Sequence, residues 1–261
     1  MIQLSNKETP STLVFLKTSF SLSYFTFVKG GYIISINPIA NGILVVPEEN
    51  ELMNVDDDGT IFETASVNIE ENSSRCPINY VSPPSVVREQ LYNNNTVINQ
   101  DEQSLSMRVS GKGLEPLDGR GAFKNFNIDM RQYNKLKMFL HAESLPNETA
   151  LQDNQMVAFL RFGADYSNDF YQVEIPLKVT VASASGGKDC LPLNPELVWP
   201  SDNEIDLSLE LLTQLKLKSL KIDKSTLPAD GIYYSDDDPN EASGDGNSKL
   251  RLGIKGNPNL G

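Results

Sequence analysis

Between residues 157 and 177 the chain reads VAFLRFGADYSNDFYQVEIPL, two apolar runs around a polar turn. In the second run Tyr171, Val173, Ile175 and Leu177 fall on one side of an extended chain, and Gln172 and Glu174 on the other. A period of two marks a half-buried strand rather than a helix. The first run, 157–162, is apolar on both sides except at Arg161, the pattern of a central sandwich strand. Gly163, Asp165, Asn168 and Asp169 between them tolerate turn geometry. The same alternation predicts strands over 104–109, 123–130 and 136–142. Ile205, Leu207 and Leu209 alternate once more, and Leu211, Leu212 and Leu215 then shift to the spacing of a short helix. Leu250, Leu252 and Ile254 read as a closing strand.

The pattern predicts a mainly β protein: a jelly-roll-like antiparallel β-sandwich with one short helix, preceded by an N-terminal set of short β-strands. Those N-terminal strands lie in 12–46, where Phe20, Leu22 and Tyr24 alternate with Ser19, Ser21 and Ser23. Both an outer barrel strand and the edge of a sandwich sheet carry such a pattern. Prolines bias 76–84 toward extended chain. The expected organisation is a hairpin region with an acidic linker over 1–76, an extended Pro- and Asn-rich connection over 77–100, and a sandwich over 101–261 able to fold alone.

Charge narrows the partners. A formal net charge of −13 over 261 residues argues against nucleic acid, which needs clustered Lys and Arg. No apolar run reaches the roughly 20 residues of a membrane-spanning helix, and the N-terminus lacks the pattern of a secretory signal. The last residues follow directly on a strand-like segment, as in a piece of a longer protein. Cys76 and Cys190, the two cysteines, read as unpaired thiols, with a single bridge in an oxidising compartment as the alternative.

Candidate chemistry is sparse. His141 is the single histidine and falls on the polar face of its strand with Lys137 and Glu143, so it reads as a surface side chain. Any Ser-His-Asp triad would have to use it, and a multi-histidine metal site is excluded. Asp56, Asp57 and Asp58, and Asp236, Asp237 and Asp238, offer oxygens to calcium but lack EF-hand spacing, and read as solvated turns. Gly111, Gly113, Gly119 and Gly121 do not open a helix and so make no phosphate loop. Tyr133, Tyr166, Phe170 and Tyr171 offer a sugar-stacking platform, although alternation places Tyr171 in the core. No catalytic, cofactor-binding or metal residue is expected, and no cofactor.

Four segments resemble signature stretches of the SprA/Sov family: 127–143 (NIDMRQYNKLKMFLHAE), 168–177 (NDFYQVEIPL), 198–200 (VWP) and 252–261 (LGIKGNPNLG). The resemblance covers about 77–261, with 228–247 standing as an insertion. It implies a non-catalytic piece of the outer-membrane translocon of type IX secretion in Bacteroidetes, which serves gliding motility in some of them. It further implies a cap-like insert on the extracellular side of a giant β-barrel, at the outer membrane and cell surface. The partners implied are other parts of the same translocon chain, secretion-system proteins and secreted cargo, with membrane contact only through the parent barrel. A carbohydrate-binding sandwich of a surface protein is the alternative.

Overall fold

The structure is a computed structural model describing residues 2–6, 12–20, 59–84, 86, 90–93, 96–99, 103–114, 119–122, 129–146, 150–165, 167–181, 194–235 and 249–260. Its strands are β1 (Ile2–Asn6), β2 (Thr12–Phe20), β3 (Thr60–Asn68), β4 (Gln90–Asn93), β5 (Thr96–Asn99), β6 (Gln103–Gly111), β7 (Gly119–Ala122), β8 (Lys135–Ser144), β9 (Met156–Asp165), β10 (Asp169–Pro176), β11 (Ile205–Ser208), β12 (Tyr233–Tyr234) and β13 (Arg251–Lys255). The α-helices are α1 (Ile69–Asn72), α2 (Pro195–Val198) and α3 (Leu209–Ser219).

Two antiparallel sheets carry the fold, ordered β12-β13-β10-β9-β1-β7 and β11-β8-β2-β6-β3, with β4 and β5 as a separate hairpin. Alternation decides what lies between them. Met107 and Val109 of β6 and Leu136, Met138, Leu140 and Ala142 of β8 share one buried cluster with Met156, Ala158, Tyr171, Val173 and Ile175 of β9 and β10. Each of these four strands thus presents every second side chain to the opposite sheet, as a sandwich requires.

Helix α3 closes one end of this core with Leu209, Leu212 and Leu215, all buried in the same cluster. Glu210 in its first turn and Lys216 and Lys218 in its last complement the helix dipole. Its predecessor β11 is the expected strand, except that Leu209 already belongs to the helix. The expected turn between β9 and β10 is held by Asp165, whose carboxylate accepts from Ser167 N at 2.7 Å and Asn168 Nδ2 at 2.9 Å.

Gly253 has a packing reason within β13. A Cβ there would come within 2.9 Å of both Ile232 and Tyr234, so only glycine lets the β12 segment lie this close. Gly256 follows at φ +67°, in the left-handed region that glycine enters without strain.

Three expectations change. The sheets do not divide at residues 76 and 100: β1 pairs with both β9 and β7, β2 with both β8 and β6, and β3 with β6. Thr12–Phe20 is therefore an inner sandwich strand, while 21–58 lies outside the described residues. Pairing between distant strands made this invisible, because alternation fixes a strand's face and not its neighbour. Second, Met130 opens a short 3-10 turn rather than ending a strand, with Asp129 capping it by accepting from Arg131 N at 3.1 Å; residues 123–128 lie outside the description. Third, Cys76 is disulfide-bonded, which overturns the reading of unpaired thiols. The chain's other cysteine is Cys190.

Candidate functional site

The outward face of β8 carries a cluster of buried polar groups. With Leu136, Met138, Leu140 and Ala142 turned inward, Phe139, His141 and Glu143 project from the other side of the sheet. They are not solvated there. A third layer, made of 75–81 and 194–204, covers them with Ile78, Tyr80, Val198 and Trp199 in a second apolar cluster that includes Phe139.

His141 is wholly buried, which corrects its reading as a surface side chain. A carbonyl can only accept, so Nδ1–H donates to Val198 O, 2.7 Å away. Nε2 lies 3.3 Å from Glu143 Oε2, and the other oxygen of Glu143 meets the Arg75 guanidinium. The Thr180 hydroxyl sits 3.2 Å from Nδ1 and donates to Leu197 O at 3.1 Å. One imidazole therefore ties the sheet, the α2 crossing and, through Glu143, the 75–81 segment together.

The cover is fastened at further points. Trp199 Nε1 donates to Val81 O at 2.8 Å, and its ring stands edge-on to Tyr80 with centroids 6.0 Å apart. Tyr80 OH is 2.6 Å from Ser104 Oγ on β6. Asn203, fully buried, accepts from Lys178 N at 2.7 Å and donates to Lys178 O at 2.8 Å. These contacts satisfy buried polar groups that would otherwise be costly.

Beside this layer runs a groove of about 830 Å³, with Glu63, Arg75, Arg108 and Glu143 among its polar lining and Ile78 and Val179 among its apolar lining. Its charges are matched, since Arg108 faces Glu63 at 3.7 Å and Arg75 meets Glu143.

A second buried polar ladder lies on the outward face of the other sheet. Arg161 sits over Phe170 at 3.8 Å and Phe159 at 5.5 Å, and its Nε donates to Gln172 Oε1 at 2.9 Å. Gln172 Nε2 reaches Tyr234 OH at 3.3 Å, and Tyr234 OH donates to Glu174 Oε1 at 3.0 Å. Arg251 closes the row, stacked over Tyr234 at 3.7 Å. Burial pulls the Arg161 guanidinium down to about 10, against the attraction of Tyr234 and Glu174. Burial first, and then Glu174, pushes the Tyr234 hydroxyl upward.

The sugar-stacking platform is not assembled. Phe170 and Tyr171 are both buried and point to opposite faces of β10, one under Arg161 and one in the inter-sheet core, while Tyr166 lies outside the described residues. Among the described residues no group of three or more His, Cys, Asp or Glu could hold a metal ion; both aspartate runs lie outside them. No helix among the described residues is long and apolar enough to cross a membrane. His141 was singled out by its rarity, but its partners Arg75, Thr180 and Val198 are remote in sequence and carried no signal beyond the tryptophan beside Val198.

The segments quoted for the family resemblance meet in space. β10 pairs with β13, joining 168–177 to 252–261, and Asn257 N donates to Asp169 Oδ1 at 2.7 Å. His141 joins 127–143 to Val198 and Trp199, and Met130 N donates to Leu260 O at 2.7 Å. The family model SprA_N, described as motility related/secretion protein, matches residues 16–261 and so reaches further toward the N-terminus than those segments do. No curated protein matches the chain.

Proposed function

The chain belongs to the SprA_N family of motility-related secretion proteins, and from that membership we propose that it is a non-catalytic structural domain of an outer-membrane protein-secretion channel. In this reading it helps to form the extracellular cap, or the surface on which partner proteins of the type IX system dock. Other parts of the same translocon chain, secretion-system proteins and secreted cargo are its partners. Gliding motility depends on it through secretion.

The match over 16–261 is the observation that carries the proposal. Two features of the chain support it. The polar cluster around His141 is buried and spends its hydrogen bonds on joining three layers, as a rigid scaffold does. The bonded Cys76 suits an oxidising compartment outside the cytoplasm.

The test is made in cells. Excising this region from the gene that encodes it and replacing it with a flexible linker should abolish export of secreted proteins and surface motility, with the rest of the product still in the outer membrane. Normal export from such cells would reject the proposal.

A further inference from the structure

The end of α3 presents a surface that neither the core nor the covering layer uses. Leu209, Leu212 and Leu215 are buried, and at about 100° per residue Leu217 falls on the opposite side of the helix, while Leu220, the residue that caps its C-terminal end, is exposed beyond the last turn. Among the described residues six large apolar side chains are exposed, and three of them, Leu217, Leu220 and Ile222, lie within six consecutive positions. Scattered exposed leucines need no explanation, but a cluster does.

Charge at this cluster runs against the rest of the molecule. Between 211 and 229 the chain has Lys216, Lys218, Lys221 and Lys224 and one acid, Asp223, in a protein of net charge −13. Asp223 is turned to its own backbone, accepting from Ser225 N at 2.9 Å as the cap of the Lys224–Thr226 turn. Lys216 is engaged with Pro258 O at 2.6 Å. Among the described residues no ion pair holds Lys221 or Lys224, and both are exposed.

We propose that this end of α3 contacts the surface of an anionic lipid bilayer, with Leu217, Leu220 and Ile222 entering the headgroup layer and Lys221 and Lys224 meeting its phosphates. Protein partners are a poorer fit. Their interfaces are rich in aromatic residues and Arg and poor in Lys, whereas 211–229 contains neither an aromatic residue nor an Arg. The groove described above is lined by none of these residues. Aliphatic side chains beside long lysines, which extend their charge to the headgroup level, are the composition of an interfacial helix. The acidic remainder of the chain repels such a membrane, but screening confines that repulsion to about 8 Å at physiological salt. Contact is therefore oriented and salt-sensitive. The proposal does not draw on family membership, and it departs from the expectation that the membrane is met only through a parent barrel.

The test is flotation of the whole 261-residue chain with vesicles of phosphatidylcholine alone or mixed with phosphatidylglycerol, at low and high salt. The parent should float with the mixed vesicles, little with the neutral ones, and less at high salt. Each lysine near an anionic surface is worth about fivefold in binding, so Lys221→Glu with Lys224→Glu should lower the binding constant, read from a vesicle titration, at least about twentyfold. Leu217→Ser with Leu220→Ser should lower it comparably. Both double variants should melt with the parent, since the altered side chains are on the surface. Failure to float, equal flotation on both vesicles, or full binding by either double variant would overturn the proposal. So would a dimer, seen by sedimentation, that the leucine changes dissolve, because a second copy would then cover the patch.

Discussion

The indole Nε1–H of Trp199 donates to the carbonyl of Val81 at 2.8 Å, bridging two covering segments 118 residues apart in sequence. Trp199 is the single tryptophan, so its emission reports on the cover alone. Trp199→Phe keeps much of the buried area but orphans the Val81 carbonyl, and should cost about 1–3 kcal/mol in a urea titration. Parent emission should be blue-shifted and should move red in the main unfolding transition. A red shift well before that transition would mean the cover opens as a separate unit.

Glu143 joins Arg75 to His141 beneath that cover. Glu143→Ala leaves both without their carboxylate. Breaking a buried pair costs about 3–5 kcal/mol, and because Arg75 is 25 % exposed the loss should sit near the lower figure. A change below about 0.5 kcal/mol, the size of a surface substitution, would show the cluster to be solvated.

Leu140, Phe159 and Ile175 are all buried, as their strand positions predict. Leu140 and Ile175 meet in the inter-sheet core, whereas Phe159 faces outward beneath Arg161. Ile175→Ala and Leu140→Ala should each destabilise by about 2–5 kcal/mol. The exposed Leu220, changed to Ala, should stay within about 0.5 kcal/mol of the parent. An Ile175→Ala protein that melts with the parent would mean the sheets face differently.

Alkaline pH should weaken the fold. Burial pushes Tyr171 up to about 12, and Tyr234 is raised as well, while unfolded tyrosines ionise near 10. Above that pH the unfolded chain binds fewer protons than the folded one, so stability falls as pH rises. Lys137, raised by its hydrogen bond to Asp206, acts in the same direction. Arg161 opposes them, because burial holds its folded value, about 10, well below that of an unfolded arginine. Two tyrosines and one lysine against one arginine leave a net decline. Urea midpoints should fall between pH 10 and 12 and fall less steeply in Tyr171→Phe. A rise would mean that Arg161 dominates.

Strands whose two faces meet different surroundings were legible in the sequence. Tyr171, Val173, Ile175 and Leu177 could be placed inside because Gln172 and Glu174 separate them, and the change to helical spacing at Leu211 located α3. The third layer was not legible. A polar outward face looks the same in sequence whether water or Trp199 covers it, so His141 was read as exposed. The place of β1 and β2 was hidden for a different reason, since strand order in a sheet is set by partners more than 80 residues away, as for Ile2 and Ala122.

That place is the central structural claim: strands from both ends of the chain form one body, and no boundary near residue 100 divides it. Hydrogen exchange on the 261-residue chain tests it most directly, by comparing Thr12–Phe20 with Asp169–Pro176. An inner strand bonded on both sides opens only with the sheet around it, so both stretches should be protected to a similar degree. Fast exchange across Thr12–Phe20 alongside strong protection of Asp169–Pro176 would contradict the account.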